Sequence, residues 1–338
     1  MKIIKQHSYI CAVFCLGILP IFITSRKAIV MKRRSKPYLY YVLGIVCTVV
    51  IAGVFSFSKA VGTPENNLEP KPQYKWYPPS LPPAIDFAGE KVPLDRWDVR
   101  ERLDRELLTN DYLHGSILLI LKQSTRYFPA IESILRANGI PEDFKFLCVA
   151  ESSLQPQAQS NVGAASFWQF MKDTAPRYGL QVDNEVDERY NFKKSTEAAC
   201  KYFKEAYAKI GTWTGVAASY NCGVTGYTNQ MDYQKASNYY DLAFPEETNR
   251  YVYRILALKY ILNHPAFFGF MMSTGDSYRP LKTKTVIVDK SIDNLADFAA
   301  ANGSSYKMLK LLNPWLRAHT LTVKNGKTYE VEFPVGNQ

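Results

Sequence analysis

A glutamate that directly follows an apolar stretch can do something an ordinary surface carboxylate cannot. It can stay protonated near neutral pH and hand its proton to a poor leaving oxygen. Glu151 stands in such a place, after FLCVA at 146–150, where desolvation would penalise the charged form and raise the pKa. The same local sequence also reads as an ordinary exposed Glu near a helix C-terminus, facing an unfavourable dipole, and taken alone it favours that reading. Three further segments follow in order: GAASFWQFM at 163–171, ASYNCG at 218–223 and EETNRYVYR at 246–254. Among their residues are the amides Gln169 and Asn221 and the phenols Tyr220 and Tyr251, while Ser152 adds a hydroxyl beside the carboxyl. Amides both donate and accept, which suits a ligand rich in polar groups.

An acid that protonates a leaving oxygen often works with a second carboxylate, as nucleophile or as base for water; glycosidic-bond cleavage is one such reaction. The acids that could serve, Asp183, Glu185, Asp187 and Glu188, lie in DNEVDERYN at 183–191. That stretch reads as a connecting turn before the next helix, with Arg189 tying it down. No second catalytic acid is evident in the four segments.

Those four segments, in that order over about a hundred residues, resemble the lytic transglycosylases of bacterial cell walls, most closely the membrane-bound D type with a goose-type lysozyme fold. The resemblance implies a peptidoglycan substrate, no cofactor, and Glu151 as single acid and base. It would protonate the oxygen of the β-1,4 bond between N-acetylmuramic acid and N-acetylglucosamine. The resulting carboxylate would then take the proton of the C6 hydroxyl, giving a 1,6-anhydro product. On the same resemblance Ser152 either hydrogen-bonds Glu151 or is a plain helix-end hydroxyl, and Gln169 contacts glycan. Asn221 holds an acetamido group, Tyr220 lines the groove or supports Glu151, and Tyr251 hydrogen-bonds the catalytic carboxyl. Phe167 and Trp168 read as core. Ser166 stands where the family commonly has Gly, so a positive φ there would cost stability or shift the loop. A hydrolase of the same fold and a silent wall-binding scaffold are the alternatives; the whole set of site residues argues against the scaffold.

Helical spacing predicts the elements that position these residues. It runs over Val99–Leu108 and Tyr112–Ser124, continues through Tyr127–Ala137, and resumes at Phe144–Glu151, Met171–Tyr178, Ser195–Ile210, Thr212–Tyr220 and Glu247–Asn263. The expected fold class is mainly α, with a lysozyme-like all-α catalytic domain at 84–265. The tail changes character: a β-branched run at Thr283–Val288, short helices in 291–303 and 306–313, and alternation over Lys327–Phe333. This βααβ pattern over 281–335 resembles a LysM peptidoglycan-binding module, although Asp289-Lys290 replaces the usual Gly-Asp. As an appended module it would tether the protein to the wall; the alternative is a small α+β cap packed on the catalytic domain.

The net charge of +10 points to nucleic acid only until it is located. Residues 1–60 carry nine Lys or Arg and no acid, which leaves 32 basic against 31 acidic residues for the remainder, so a nucleic-acid-binding face is excluded. The basic excess flanks an uncharged apolar run at 37–57, long enough to cross a bilayer, with KRRSK at 32–36 before it. Residues 1–60 are therefore expected to be an inner-membrane anchor, with the catalytic domain in the periplasm. A shorter apolar run at 8–24 precedes it, and the start is either Met1 or Met31. The absence of a small-x-small site after Phe57 favours an uncleaved anchor over a signal peptide. Seven prolines in 61–83 make a stalk. Cys148 and Cys200 read as buried thiols rather than a bridge, and the four histidines have no metal-ligand spacing.

Overall fold

The computed structural model describes residues 38, 41–42, 44–49, 77–273, 275–324 and 326–336. The described residues between 38 and 49 are helical; the rest of the expected anchor and most of the stalk lie outside the described residues. Among the described residues, no helix is long and apolar enough to cross a membrane.

The chain divides into two units, Met1–Lys75 and Trp76–Gln338, and the second has first a minimal hairpin, β1 (Asp86–Phe87) and β2 (Glu90–Lys91), followed by helices α1 (Trp97–Asp111), α2 (His114–Ala137) and α3 (Phe144–Ser152). Helix α1 buries Val99, Leu103 and Leu107 at helical spacing. The two helical stretches expected on either side of residue 125 form one 24-residue helix, α2, which runs through Pro129 and stops at Asn138-Gly139, where Gly139 takes φ 68.

Helices α4 (Phe192–Ile210), α5 (Trp213–Cys222), α6 (Val224–Gln234) and α7 (Glu246–Asn263) complete the helical part. Three of these starts have a visible physical cause. Asn191 Oδ1 accepts from the Lys194 amide at 3.1 Å to open α4. The carboxylate of Glu90, on β2, accepts from the Trp213 and Thr214 amides at 2.6 and 2.8 Å and so caps α5 from afar. Two acidic residues, Glu246 and Glu247, occupy the first turn of α7. Helix α7 packs against α1, α3 and α5 at the centre of the core.

Two expectations need correction. Met171–Tyr178 is not an α-helix: only Ala175–Tyr178 coils, as a 3-10 turn. Residues 171–174 are exposed, so a longer helix would have no apolar stripe to bury, and Pro176 lacks an amide to donate. Helix α6 was not expected, because Gly223 directly precedes it, Gly226 lies in its first turn and Tyr227 is its only buried residue.

The tail forms β3 (Thr283–Val288), α8 (Leu295–Ala301), α9 (Tyr306–Leu312) and β4 (Tyr329–Pro334). The strands pair antiparallel, with Val286 opposite Val331 and Val288 opposite Tyr329. Tyr329, Val331 and Phe333 point inward at period two. Their cluster also takes in Ala165, Val186 and Tyr190 from the helical part. The module is thus packed onto the helical part and shares a core with it, as the cap alternative requires. The fold is mainly α, with a small α+β C-terminal module.

Candidate active site

Helix α3 stops abruptly one residue after the glutamate. Ser153 and Leu154 both adopt the left-handed conformation, at φ 52 and 59, and Leu154 is fully buried. Two consecutive non-glycine residues in that region persist only where the surroundings over-determine them. Glu151 is thereby fixed in the last turn of α3, where the negative end of the helix dipole works against an ionised carboxyl.

Helix α7 supplies Tyr251, whose Oη donates to Glu151 Oε1. Burial pushes the Glu151 pKa up to about 7; the Tyr251 hydrogen bond and the Arg254 charge pull it down, while Glu247 pushes it up. The Tyr251 phenol is itself held well above its ordinary value, by burial first and then by Glu151. A carboxyl poised near neutrality suits an acid that must also act as a base.

The other side of the site is the loop 163–170. It is fixed through its carbonyls: Cys148 Sγ of α3 donates to Phe167 O at 3.4 Å, and Tyr220 Oη donates to Trp168 O at 2.7 Å. Gln169, at φ 49, turns its own Nε2 back to Ser166 O at 2.7 Å and Ala158 O at 3.3 Å. Trp168 is core, fully buried, and donates Nε1 to Thr196 Oγ1 at 3.0 Å. Ser166 does adopt a positive φ, 64. Its hydroxyl donates to Pro156 O at 2.9 Å, a bond that glycine could not make and that offsets part of the strain.

The structure brings Glu151 and Tyr251 into direct contact, and it ties Tyr220 to the loop that carries Gln169 rather than to Glu151. Burial and the Glu151 charge both raise the Tyr220 phenol. Asn221, at the exposed end of α5, accepts from Thr248 Oγ1 at 2.7 Å through its Oδ1. Ser152 does not bond Glu151: its hydroxyl donates to Cys148 O at 3.1 Å, the helix-end alternative. Sequence reasoning missed Thr248 and Arg254. Both lie in the segment already singled out, three residues either side of Tyr251, where helical spacing puts them on neighbouring turns.

The acids at 183–188 lie elsewhere, on the seam with the tail, where Glu185 bonds Thr320 and Thr322. Among the described residues no group of His, Cys, Asp or Glu is placed to hold a metal ion.

Residues 129–243 match the transglycosylase SLT domain family, and residues 284–337 match the soluble lytic transglycosylase C-terminal LysM-like domain family. Glu151, Gln169, Tyr220 and Asn221 fall inside the first match; Tyr251 lies beyond it. The chain is 28% identical, over 245 residues, to the membrane-bound lytic murein transglycosylase D of Escherichia coli K12 and to that of strain O6:H1. Those alignments cover 70% of this chain and 52% of each relative, so the chain spans about half the length of the curated relatives it matches. Among solved structures, the 70 kDa soluble lytic transglycosylase SLT70 of Escherichia coli aligns at 18% identity and TM-score 0.38, over 54% of this chain and 31% of that one. An inactive mutant of the lytic transglycosylase Slt from Pseudomonas aeruginosa aligns at 16% identity and TM-score 0.34, over 44% and 26%. By these matches the chain carries a transglycosylase SLT domain followed by a LysM-like domain of the soluble lytic transglycosylase C-terminal family.

Proposed function

We propose that this protein is a peptidoglycan lytic transglycosylase that cleaves the β-1,4 bond between N-acetylmuramic acid and N-acetylglucosamine. The observation that carries the reading is the Glu151 carboxyl, half-buried at the end of α3, bonded by Tyr251 and with its pKa raised to about 7. Protonated Glu151 gives its proton to the glycosidic oxygen as the C1–O bond breaks, and the neighbouring sugar leaves as an alcohol. Positive charge on C1 is then balanced by the new carboxylate. The carboxylate removes the C6 hydroxyl proton as O6 bonds C1, which closes the 1,6-anhydro ring and returns Glu151 to its acid form. Atoms and protons balance without water.

In this reading Tyr251 holds the carboxyl rotamer and Gln169 contacts the glycan. Asn221, oriented by Thr248, binds an acetamido group. Tyr220 acts through the Gln169 loop, and Ser152 closes α3. We assign the catalytic domain to 84–265 and the LysM-like module to 281–335. We further place the protein in the cell envelope, anchored in the inner membrane through 1–60 with a stalk at 61–83 and the catalytic domain in the periplasm. The membrane-bound relatives and the apolar run at 37–57 support that placement.

Mass spectrometry of peptidoglycan digested by the protein in the presence of a chelator tests the reading. Products ending in 1,6-anhydro-N-acetylmuramic acid are expected. Hydrated reducing ends as the main species would make the protein a hydrolase of the same fold, and no cleavage would leave a wall-binding scaffold.

A further inference from the structure

The seam between the SLT domain and the tail is built like a piece of sheet. Asp187 N donates to Trp315 O at 2.9 Å, Arg317 N donates to Glu185 O at 2.7 Å, and Val186 pairs antiparallel with Leu316. The Glu185 carboxylate extends the seam, accepting from Thr320 Oγ1 at 2.5 Å and from the Thr322 amide at 2.9 Å. On the ring of Tyr190, the Arg317 guanidinium sits 4.4 Å from the centroid.

The strip 185–189 has a second partner on its other side. Asp187 and Arg189 form a buried ion pair, with Nη2 to Oδ2 at 2.7 Å and Nε to Oδ1 at 2.9 Å. Arg189 Nη1 then donates to Gly163 O at 2.8 Å and Phe170 O at 3.0 Å, the two ends of the loop that carries Gln169. Between those ends Ala165 is part of the module's own buried cluster. The loop holds two non-glycine residues at positive φ, Ser166 and Gln169, a conformation that relaxes when its supports are removed. A buried guanidinium likewise keeps its geometry only while its partners stay in place.

We infer that the C-terminal module is a positioning element of the cleavage site, acting through Glu185 and the Asp187–Arg189 pair to hold the Gln169 loop. Arg189 and Asp187 are positioning residues: their bonds run to each other and to the loop carbonyls, and they act on substrate through the loop. The module therefore does more than tether the enzyme to its polymer. Its effect on cleavage rests on the transglycosylase reading; its effect on the loop does not.

The test compares the full-length wild type with Glu185→Ala, Glu185→Gln and Thr320→Val, which change the exposed edge of the seam and leave the buried ion pair intact. Amide hydrogen exchange at Ala165, Ser166 and Gln169 is measured together with kcat and KM on short soluble glycan strands, which need no tethering. With Glu185→Ala, exchange at those three amides is expected to speed up and kcat/KM to fall, each on the order of tenfold. Glu185→Gln keeps an acceptor for Thr322 and a partner for Thr320, so it should restore most of both. Thr320→Val, a single lost bond, should fall between wild type and Glu185→Ala and serves if the latter fails to fold. Unchanged loop exchange, with faster exchange confined to residues 315–322, would overturn the inference. So would normal cleavage of soluble strands by a variant whose loop has loosened. If wild type itself releases no anhydro product, the functional reading fails, and the exchange data still decide the coupling.

Discussion

Tyr251 of α7 donates its hydroxyl to the Glu151 carboxyl of α3, two residues a hundred positions apart in the chain. That bond stabilises the ionised carboxyl, whereas burial stabilises the neutral one, and the balance leaves the pKa at about 7. A carboxyl held much higher would give up its proton with difficulty, and one held much lower would rarely have it.

The pH dependence of cleavage follows. The cycle starts from the protonated acid, so kcat/KM on soluble glycan strands should decline as pH rises above about 7. Tyr251→Phe removes the hydrogen bond that lowers the pKa, and the declining limb should move to higher pH as the overall rate falls. A pH–rate profile for the two proteins checks this; a limb that moves to lower pH would contradict the balance described.

Stability carries the same signature with its own sign. The Glu151 pKa is raised on folding from 4.5 to about 7, so the folded state holds a proton that the unfolded chain releases. This contribution is full below about 4.5, is lost progressively as pH rises, and is gone above about 7. Glu151→Gln, a neutral mimic, should match wild type at the acid end and melt at a higher temperature than wild type above pH about 7. Thermal melts across that window measure the gap.

Glu151→Gln should also reduce cleavage by on the order of 10²–10⁴ or more, since one group serves both proton transfers. The release of anhydro products by wild type and variant, compared at equal folded fraction, gives the number. Retention of more than a tenth of the activity would require another acid.

At Ser166 the strain and the hydrogen bond can be separated. Ser166→Ala keeps the left-handed backbone and loses the bond to Pro156 O, and should cost about 1 kcal/mol. Ser166→Gly also loses the bond but relieves the φ 64 strain, so it should be closer to neutral. Denaturant melts of the three proteins rank them; an Ala variant more stable than the Gly variant would show that the strain is small.

Thr248→Val leaves the Asn221 amide without the hydroxyl that orients it. KM on acetamido-bearing strands should rise several-fold, within the factor set by one lost hydrogen bond of about 1 kcal/mol, while kcat changes little. Steady-state kinetics separate the two; a fall in kcat at constant KM would place Thr248 in the proton-transfer machinery instead.

The Glu151–Tyr251 pairing was legible because each residue sits in a short segment with a distinct composition, and the apolar run before Glu151 pointed to a carboxyl with a raised pKa. The helices with an apolar stripe were readable for the same reason. Helix α6, with one buried residue, was not, and the expected helix at 171–178 shrank to a turn because nothing there could be buried. The helix-end role of Ser152 was one of two open readings, but the Tyr220 bond to Trp168 O left no trace: it depends on where the backbone bends, and the two left-handed residues after α3 have ordinary side chains.

The strip 181–190 belongs by chain order to the SLT domain and by its contacts to the tail: Gln181 accepts from Tyr329 Oη at 3.0 Å, and Val186 lies in the tail's core. A swap of C-terminal modules between enzymes, cut in the linker at 270–282, would therefore sever a complementary surface. The unit of exchange that keeps those contacts is discontinuous, the tail together with residues 181–190.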